Sequence, residues 1–398
     1  MYRDYFQLID PGQPGYRLCS ACTIDTTVPG VLFDHAGVCN FCDLHQRLEA
    51  EYPLNAAGQV VRDRWIDEIR RQGKGREFDC VLGVSGGRDS IYTLWLAVKE
   101  WGLRPLAVHF NDGFGNPVAG ENMVNATRRL GVELRTVTSD WRESKDIKIS
   151  LLKAGVPDLE LGTDIGIATS LYSMCCRTGL KSIIIGQSFR TEGIAPLSWN
   201  YLDGKYLKGI HSKFGTVRLR PWAASDAGFT LGLREMLYYT VYRGIRTYPL
   251  LYLTNYNRRA AEQIITSELG WVYPGAHYYD DLFQALMFWY HRTKFGFDRR
   301  VYNYAALVRD GQMDRDQALE SLKTPYRIED PKVISLCIKR LGLSEEEFQQ
   351  LVSRPAMNFR DYPNSYRLIR LARPAIWLLS RMKLLPGTAY DKYFLAGK

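Results

Sequence analysis

Residues 84–90 read Val-Ser-Gly-Gly-Arg-Asp-Ser, directly after the apolar run Asp79-Cys80-Val81-Leu82-Gly83 and directly before Ile91-Tyr92-Thr93-Leu94-Trp95-Leu96. A strand, a turn of glycine and serine, and then a helix make an anion cradle. The free N–H groups of a helix N-terminus point outward, and the helix dipole favours negative charge there. Gly86 and Gly87 let the backbone approach a phosphate without a Cβ in the way. Ser85 and Ser90 add hydroxyl donors, and Asp89 puts a carboxylate where only a metal makes it tolerable beside phosphate. The chemistry expected is that of a magnesium nucleotide. A Walker-type loop, with four residues between its glycines and a following Lys-Ser/Thr, does not fit.

Outward from this loop, short β-rich runs alternate with helical patterns. Strands are expected at 79–84, Pro105–Phe110, Val132–Thr138 and Ser182–Gly186, with helices at 90–101, at about 117–130 and up to about 179 between them. Such alternation calls for a parallel sheet covered by helices on both faces, an α/β doubly wound fold. Ligands of such sheets sit beyond the carboxyl ends of the strands. Three segments therefore converge on one site: Ser85–Ser90, His109–Gly113 and Gly186–Glu192.

A second signal precedes the sheet. Cys19-x-x-Cys22 and Cys39-x-x-Cys42 form a C-x2-C-x16-C-x2-C array, the spacing of a four-thiolate structural zinc site. Metal binding of this kind contributes roughly 10–16 kcal/mol of folding free energy, enough to order a short segment with little core of its own. An iron-sulfur cluster on the same thiolates stays open. His35 and His45 are expected bystanders, since four sulfurs close a tetrahedral shell. After this zinc knuckle (1–50), a connector (51–78) carries Val61, Trp65 and Ile69 at helical spacing from Arg62 to Lys74, ending at Gly73-Lys74-Gly75. The nucleotide domain is expected over 79–250 and a helical substrate or partner region over 251–398.

The chain has 398 residues, 46% hydrophobic and 24% charged, with a net charge of +9. This is an ordinary soluble composition, with no apolar run near the roughly 18 residues of a membrane span and no signal-peptide core after Met1. A cytoplasmic location is the expectation. The basic balance suits nucleotides, nucleic acid or a membrane surface and decides among none of them.

The Ser85–Ser90 loop resembles the SGGxDS loop of the ATP pyrophosphatase (PP-loop) superfamily, whose sheet is of the adenine nucleotide alpha-hydrolase-like type and whose members split ATP between its α- and β-phosphates. The resemblance implies ATP and Mg2+ as cofactors. It implies that Ser85, Gly86, Gly87, Asp89 and Ser90 grip the phosphates, that His109, Phe110 and Asn111 fall at the adenine, and that Asp112 approaches the ribose or metal. Gly186 and Gln187 complete the nucleotide site. Asp89, Arg88 and Asp112 become the catalytic candidates, and Arg190, Glu192, Arg258 and His277 the substrate-binding ones. Arg88 departs from the lysine common in this loop.

Three further stretches narrow the branch: Asn257-Arg258-Arg259, Leu269-Gly270-Trp271-Val272-Tyr273-Pro274-Gly275-Ala276-His277-Tyr278 and Lys294-Phe295-Gly296-Phe297-Asp298-Arg299-Arg300. With the N-terminal cysteines they resemble the N-acetyl sugar amidotransferase family, synthase subunits that form acetamidino groups on nucleotide-activated sugars for O-antigen and lipopolysaccharide biosynthesis. Ala276 and Tyr279-Asp280-Asp281 interrupt the family pattern. The resemblance implies a nucleotide-sugar substrate and a separate glutaminase subunit supplying ammonia. No glutaminase nucleophile motif surrounds Cys80, Cys175, Cys176 or Cys337. The alternative is a tRNA-thiolating ATP pyrophosphatase using Cys175, Cys176 or a cluster, although nucleic acid is not the expected partner. Residues 323–365 read as helical and polar. Beyond them, Tyr366 to Lys383 mixes arginines with Leu, Ile and Trp and could lie on an anionic membrane surface, on a partner or on its own domain, with Pro374 breaking any continuous helix.

Overall fold

The computed structural model describes residues 14–194, 196, 199, 202–274, 281–324 and 330–381. After the cysteine knuckle come α1 (Asn40–Glu51) and α2 (Ala56–Gln72). Next, β1 (Cys80–Gly83), α3 (Arg88–Trp95), β2 (Pro105–Asn111), α4 (Pro117–Leu130), β3 (Leu134–Thr138), α5 (Trp141–Ala154), α6 (Leu161–Thr178) and β4 (Ser182–Ile184) follow in turn. Two helices, α7 (Gly204–Phe214) and α8 (Leu233–Leu237), lead to β5 (Arg246–Tyr248). Helices then take over: α9 (Arg258–Leu269), α10 (Phe283–Phe295), α11 (Arg299–Arg309), α12 (Arg315–Lys323), α13 (Lys332–Leu341), α14 (Glu345–Val352), α15 (Tyr366–Leu371) and α16 (Arg373–Arg381).

The five strands are parallel and ordered β3-β2-β1-β4-β5, which is the expected doubly wound α/β sheet. Successive residues of each central strand feed opposite cores, as strand pleating requires. Val81, Leu106, Val108 and Ile183 pack with α5, α6, α7, α10, α13 and α14. Cys80, Leu82, Ala107 and Ile184 pack with α2, α3, α4 and α9. Burying each such Val, Leu or Ile contributes roughly 1.5–3 kcal/mol.

Differences from expectation have local causes. The connector helix starts at Ala56 rather than Arg62, because the Asn55 side chain accepts from the N–H groups of Ala57 and Gly58 and caps it. Helix α3 begins at Arg88, and the turn after it, Leu96–Glu100, is π-helical. The last strand of the expected set stops at Ile184, and Gly186 turns toward α3 instead. Strand β5 carried no apolar run: Arg246 and Thr247 are exposed and only Tyr248 is buried. The 323–365 region is not merely polar, since Ile334, Cys337, Ile338, Leu341 and Phe348 join the core that holds β1.

Candidate active site

Order β3-β2-β1-β4-β5 reverses direction between β1 and β4, so the crevice of the sheet opens beyond these two strands. The Ser85–Ser90 loop leaves β1 there. Gly87 caps α3, and Gly86 adopts φ +82°, where a Cβ would stand 2.1 Å from the Ala119 carbonyl oxygen. Across the crevice, a Cβ on Gly186 would stand 2.8 Å from Ser90 Cα. Both positions demand glycine by contact. Ser90 Oγ accepts from the Ser85 N–H at 3.1 Å and donates to the Gly87 carbonyl at 3.1 Å. From outside, Trp271 Nε1 donates to the Gly86 carbonyl at 3.0 Å and Asn122 Nδ2 at 3.3 Å, while Asn122 also pairs twice with the Val272 backbone.

A cavity of about 830 Å³ opens over this loop. It is lined by Ser85, Gly87, Arg88, Asp89 and Ser90, by His109, Phe110, Asn111 and Asp112, and by Gly186, Gln187, Glu192 and Arg258. Most of the residues singled out in the sequence thus meet around one space. His277 lies outside the described residues.

Two departures are instructive. Arg190 does not line the cavity. Its guanidinium, 3% exposed, binds Glu49 at 2.6 Å, Asp310 at 3.2 Å and the Tyr52 carbonyl at 3.1 Å, so it ties the α1 segment to the end of α11. Asp112 lines the cavity but is already engaged: it accepts from the Phe114 N–H at 2.9 Å, Lys148 Nζ at 3.0 Å and Thr163 Oγ1 at 2.9 Å. Burial opposes its ionisation, yet the Lys148 charge and these donors hold its carboxyl below the usual range.

At the loop, Asp89 accepts from Arg88 Nε at 3.1 Å, from the Tyr256 hydroxyl and from Thr191 Oγ1 at 3.4 Å. Glu192 reaches the same carboxylate. Burial first, and then the charge of Asp89, push the Glu192 carboxyl well above the usual carboxylate range. Two carboxylates in contact beside a phosphate cradle form a donor pair suited to a hard cation. Arg258 faces the same space. Burial and the neighbouring Arg88 charge lower its pKa, and among the described residues no ion pair of its guanidinium is seen. His109 Nδ1 lies 3.1 Å from the Val84 carbonyl, and burial lowers the pKa of the ring.

The sequence reading missed an acidic wall at the other end of the cavity. Lys148, buried on α5, pairs with Asp112 and with Glu160, and Thr163 and Gln284 bond to Glu160. Asp281 lies beside them, its carboxyl pushed well up by burial and by the charges of Asp112 and Glu160. One signal was available: Lys148 falls between Ser144, Ile147, Leu151 and Leu152, on the apolar stripe of α5, where a lysine calls for carboxylate partners.

The knuckle is a separate centre. Its sulfurs are 3.9 Å (Cys19–Cys42), 3.7 Å (Cys22–Cys39) and 3.6 Å (Cys39–Cys42) apart. Thiolates held about 2.3 Å from one tetrahedral ion stand about 3.8 Å apart, so the donor set fits a single metal. Arg309 donates to Cys42 Sγ at 3.4 Å and Cys22 Sγ at 3.5 Å, and backbone N–H groups of Ala21, Ile24 and Cys39 also point at sulfur. The knuckle packs on Phe297, Val301, Ala305 and Leu322. His35 is exposed. His45 is buried against Phe189, and burial, then the charges of Arg309 and Arg190, lower its pKa to about 3.

A glycine-serine turn at the switch point of a doubly wound sheet, opening on a cavity lined by Asp89, Glu192 and Arg258, is an arrangement that a phosphate-bearing ligand would fit. Residues 275–373 match the family model described as LPS biosynthesis protein WbpG-like, C-terminal domain. The uncharacterized protein MJ1599 of Methanocaldococcus jannaschii is 26% identical over 164 residues, 39% of this chain; the match spans 57% of that curated relative. Among solved structures, the NH3-dependent NAD synthetase of Campylobacter jejuni aligns at 13% identity and TM-score 0.29, covering 71% of this chain and 93% of that one. The U34-tRNA thiolase NcsA of Methanococcus maripaludis, with its [4Fe-4S] cluster, aligns at 11% and TM-score 0.31, covering 78% and 94%. The NMN synthetase of Francisella tularensis aligns at 14% and TM-score 0.25, covering 59% and 93%.

Proposed function

We propose that the protein is an ATP-dependent amidotransferase synthase subunit that adenylates the acetamido carbonyl of a nucleotide-activated N-acetyl sugar and lets ammonia replace the oxygen. The products are an acetamidino sugar, AMP and pyrophosphate. The observation that carries this reading is the Ser85–Ser90 turn with the Asp89–Glu192 pair on the lining of an 830 Å³ cavity. The lipopolysaccharide-biosynthesis domain match supports the sugar side of it.

An acetamido carbonyl resists substitution because its oxygen is a poor leaving group. Attack of that oxygen on the α-phosphorus of ATP forms the O–P bond and breaks the α–β bridge, releasing pyrophosphate. Ammonia then adds to the activated carbon, and AMP leaves with the original oxygen. In this mechanism the α3 N-terminal N–H groups and the Ser85 hydroxyl, in a turn that Ser90 braces, hold the departing pyrophosphate. Arg258 sits where its charge opposes the negative charge that develops there. Asp89 and Glu192 would hold Mg2+, which supplies charge neutralisation at the phosphates when bound. Zinc is the metal proposed for the four thiolates. Ammonia would come from a separate glutaminase chain, since free ammonia is scarce as ammonium at neutral pH.

The sulfur route through Cys175 or Cys176 has less to stand on. Cys175 is fully buried, its Sγ points at the Ser182 carbonyl and burial raises its thiol pKa, while neither Cys175 nor Cys176 lines the cavity. Incubation with ATP, magnesium, an ammonium salt and a panel of UDP-N-acetyl sugars tests the proposal. AMP together with a sugar in which nitrogen has replaced the acetamido oxygen is expected; ADP as the nucleotide product would sink it.

A further inference from the structure

The last described turns carry large apolar side chains on their outside. Leu368 is 54% exposed, Leu371 80%, Trp377 44% and Leu378 52%. An amphipathic helix ordinarily turns such residues toward its own core. Helices α15 and α16 are interrupted at Ala372, because Pro374 lacks an N–H and is compatible only with the first turn of the second helix. The result is two short segments set against each other, each keeping apolar surface in solvent.

Along this stretch of sequence the charges have one sign. Arg367, Arg370, Arg373, Arg381 and Lys383 lie in this segment, and no Asp or Glu occurs between Asp361 and Asp391. Over the whole chain, 52 basic residues face 43 acidic ones, so this imbalance is local. The match to the WbpG-like domain ends at residue 373, which leaves almost all of α16 beyond that domain.

We propose that α15 and α16 form a docking surface for an anionic lipid bilayer. Acidic headgroups complement Arg367 and Arg370, and the acyl boundary takes up Leu368, Leu371, Trp377 and Leu378. The contact is peripheral, since no helix among the described residues is long and apolar enough to cross a membrane. This inference stands apart from the amidotransferase reading, because it rests on none of the active-site residues.

Co-sedimentation of the full chain with vesicles tests it. Binding to vesicles containing phosphatidylglycerol, absence of binding to pure phosphatidylcholine, and release in about 1 M salt, where the screening length falls to about 3 Å, are expected. Leu371→Asp with Leu378→Asp should lower partitioning more than tenfold with the thermal midpoint unchanged, both positions being exposed. Arg367→Gln and Arg370→Gln should each lower it roughly fivefold. Equal binding to neutral vesicles, wild-type binding by the Leu371→Asp/Leu378→Asp protein, or self-association through this segment with no vesicle binding would each overturn the proposal.

Discussion

The indole N–H of Trp271 donates to the carbonyl of Gly86 at 3.0 Å, joining the phosphate cradle to a residue 185 positions downstream. The loop is therefore shaped by the chain segment that follows α9 as well as by its own glycines. Trp271→Phe should cost about 1 kcal/mol of stability and weaken ATP-pyrophosphate exchange roughly tenfold, by letting Gly86 shift. An ATP-pyrophosphate exchange assay beside urea denaturation reads both; an unchanged exchange rate would remove the clamp from the argument.

Glu192 yields a pH-dependent outcome. Its carboxyl is raised in the folded state by burial and by Asp89. The native state therefore binds more protons than the unfolded one above the ordinary glutamate pKa, and its contribution to stability falls as pH rises through that window. Glu192→Gln should raise the melting temperature of the metal-free protein at pH 8 and leave it unchanged near pH 4. The same variant should lose the magnesium-induced thermal shift.

Asp89→Asn should lower AMP formation at least a hundredfold, well beyond what the stability lost with the buried Arg88–Asp89 pair accounts for. Circular dichroism and single-turnover AMP release separate the two effects. Comparable loss of both would make Asp89 a packing residue.

Removing Lys148 should be far more damaging than its distance from the loop suggests. With Lys148→Met, Asp112 and Glu160 lose their buried counter-charge, a change on the order of 3–5 kcal/mol. Protonating the carboxylates offsets part of this, so urea denaturation should show a smaller deficit at pH 5 than at pH 7.5.

Arg190→Ala should lower stability by a similar amount and leave the KM for ATP unaltered, because its partners are Glu49, Asp310 and the Tyr52 carbonyl. A raised KM with unchanged stability would return Arg190 to the active site.

Much of the fold could be read from the chain because the relevant signals are local. Asn116, Pro117 and Gly131 punctuate α4 as capping rules require, and the central strands are apolar on both faces. The loop and its three converging strand ends were legible for the same reason. What escaped was decided by tertiary contact. Strand β5 is three residues whose neighbour on one side is β4, and nothing in Arg246-Thr247-Tyr248 announces that pairing. Arg190 follows a strand end, as a substrate-binding arginine would, but its carboxylates come from α1 and the end of α11. Lys148, Glu160 and Asp281 belong together only once α5, α6 and the start of α10 are packed.

Thr23 Oγ1 donates to the Val301 carbonyl, and Arg315 donates to the carbonyls of Cys19 and Cys22. These knuckle residues thus find packing partners only after nearly three hundred more have been synthesised. During translation the knuckle must wait with one flank uncovered, and the order of synthesis and the order of burial run in opposite directions. A truncation before α11 would leave that flank without Val301, Ala305, Arg315 and Leu322.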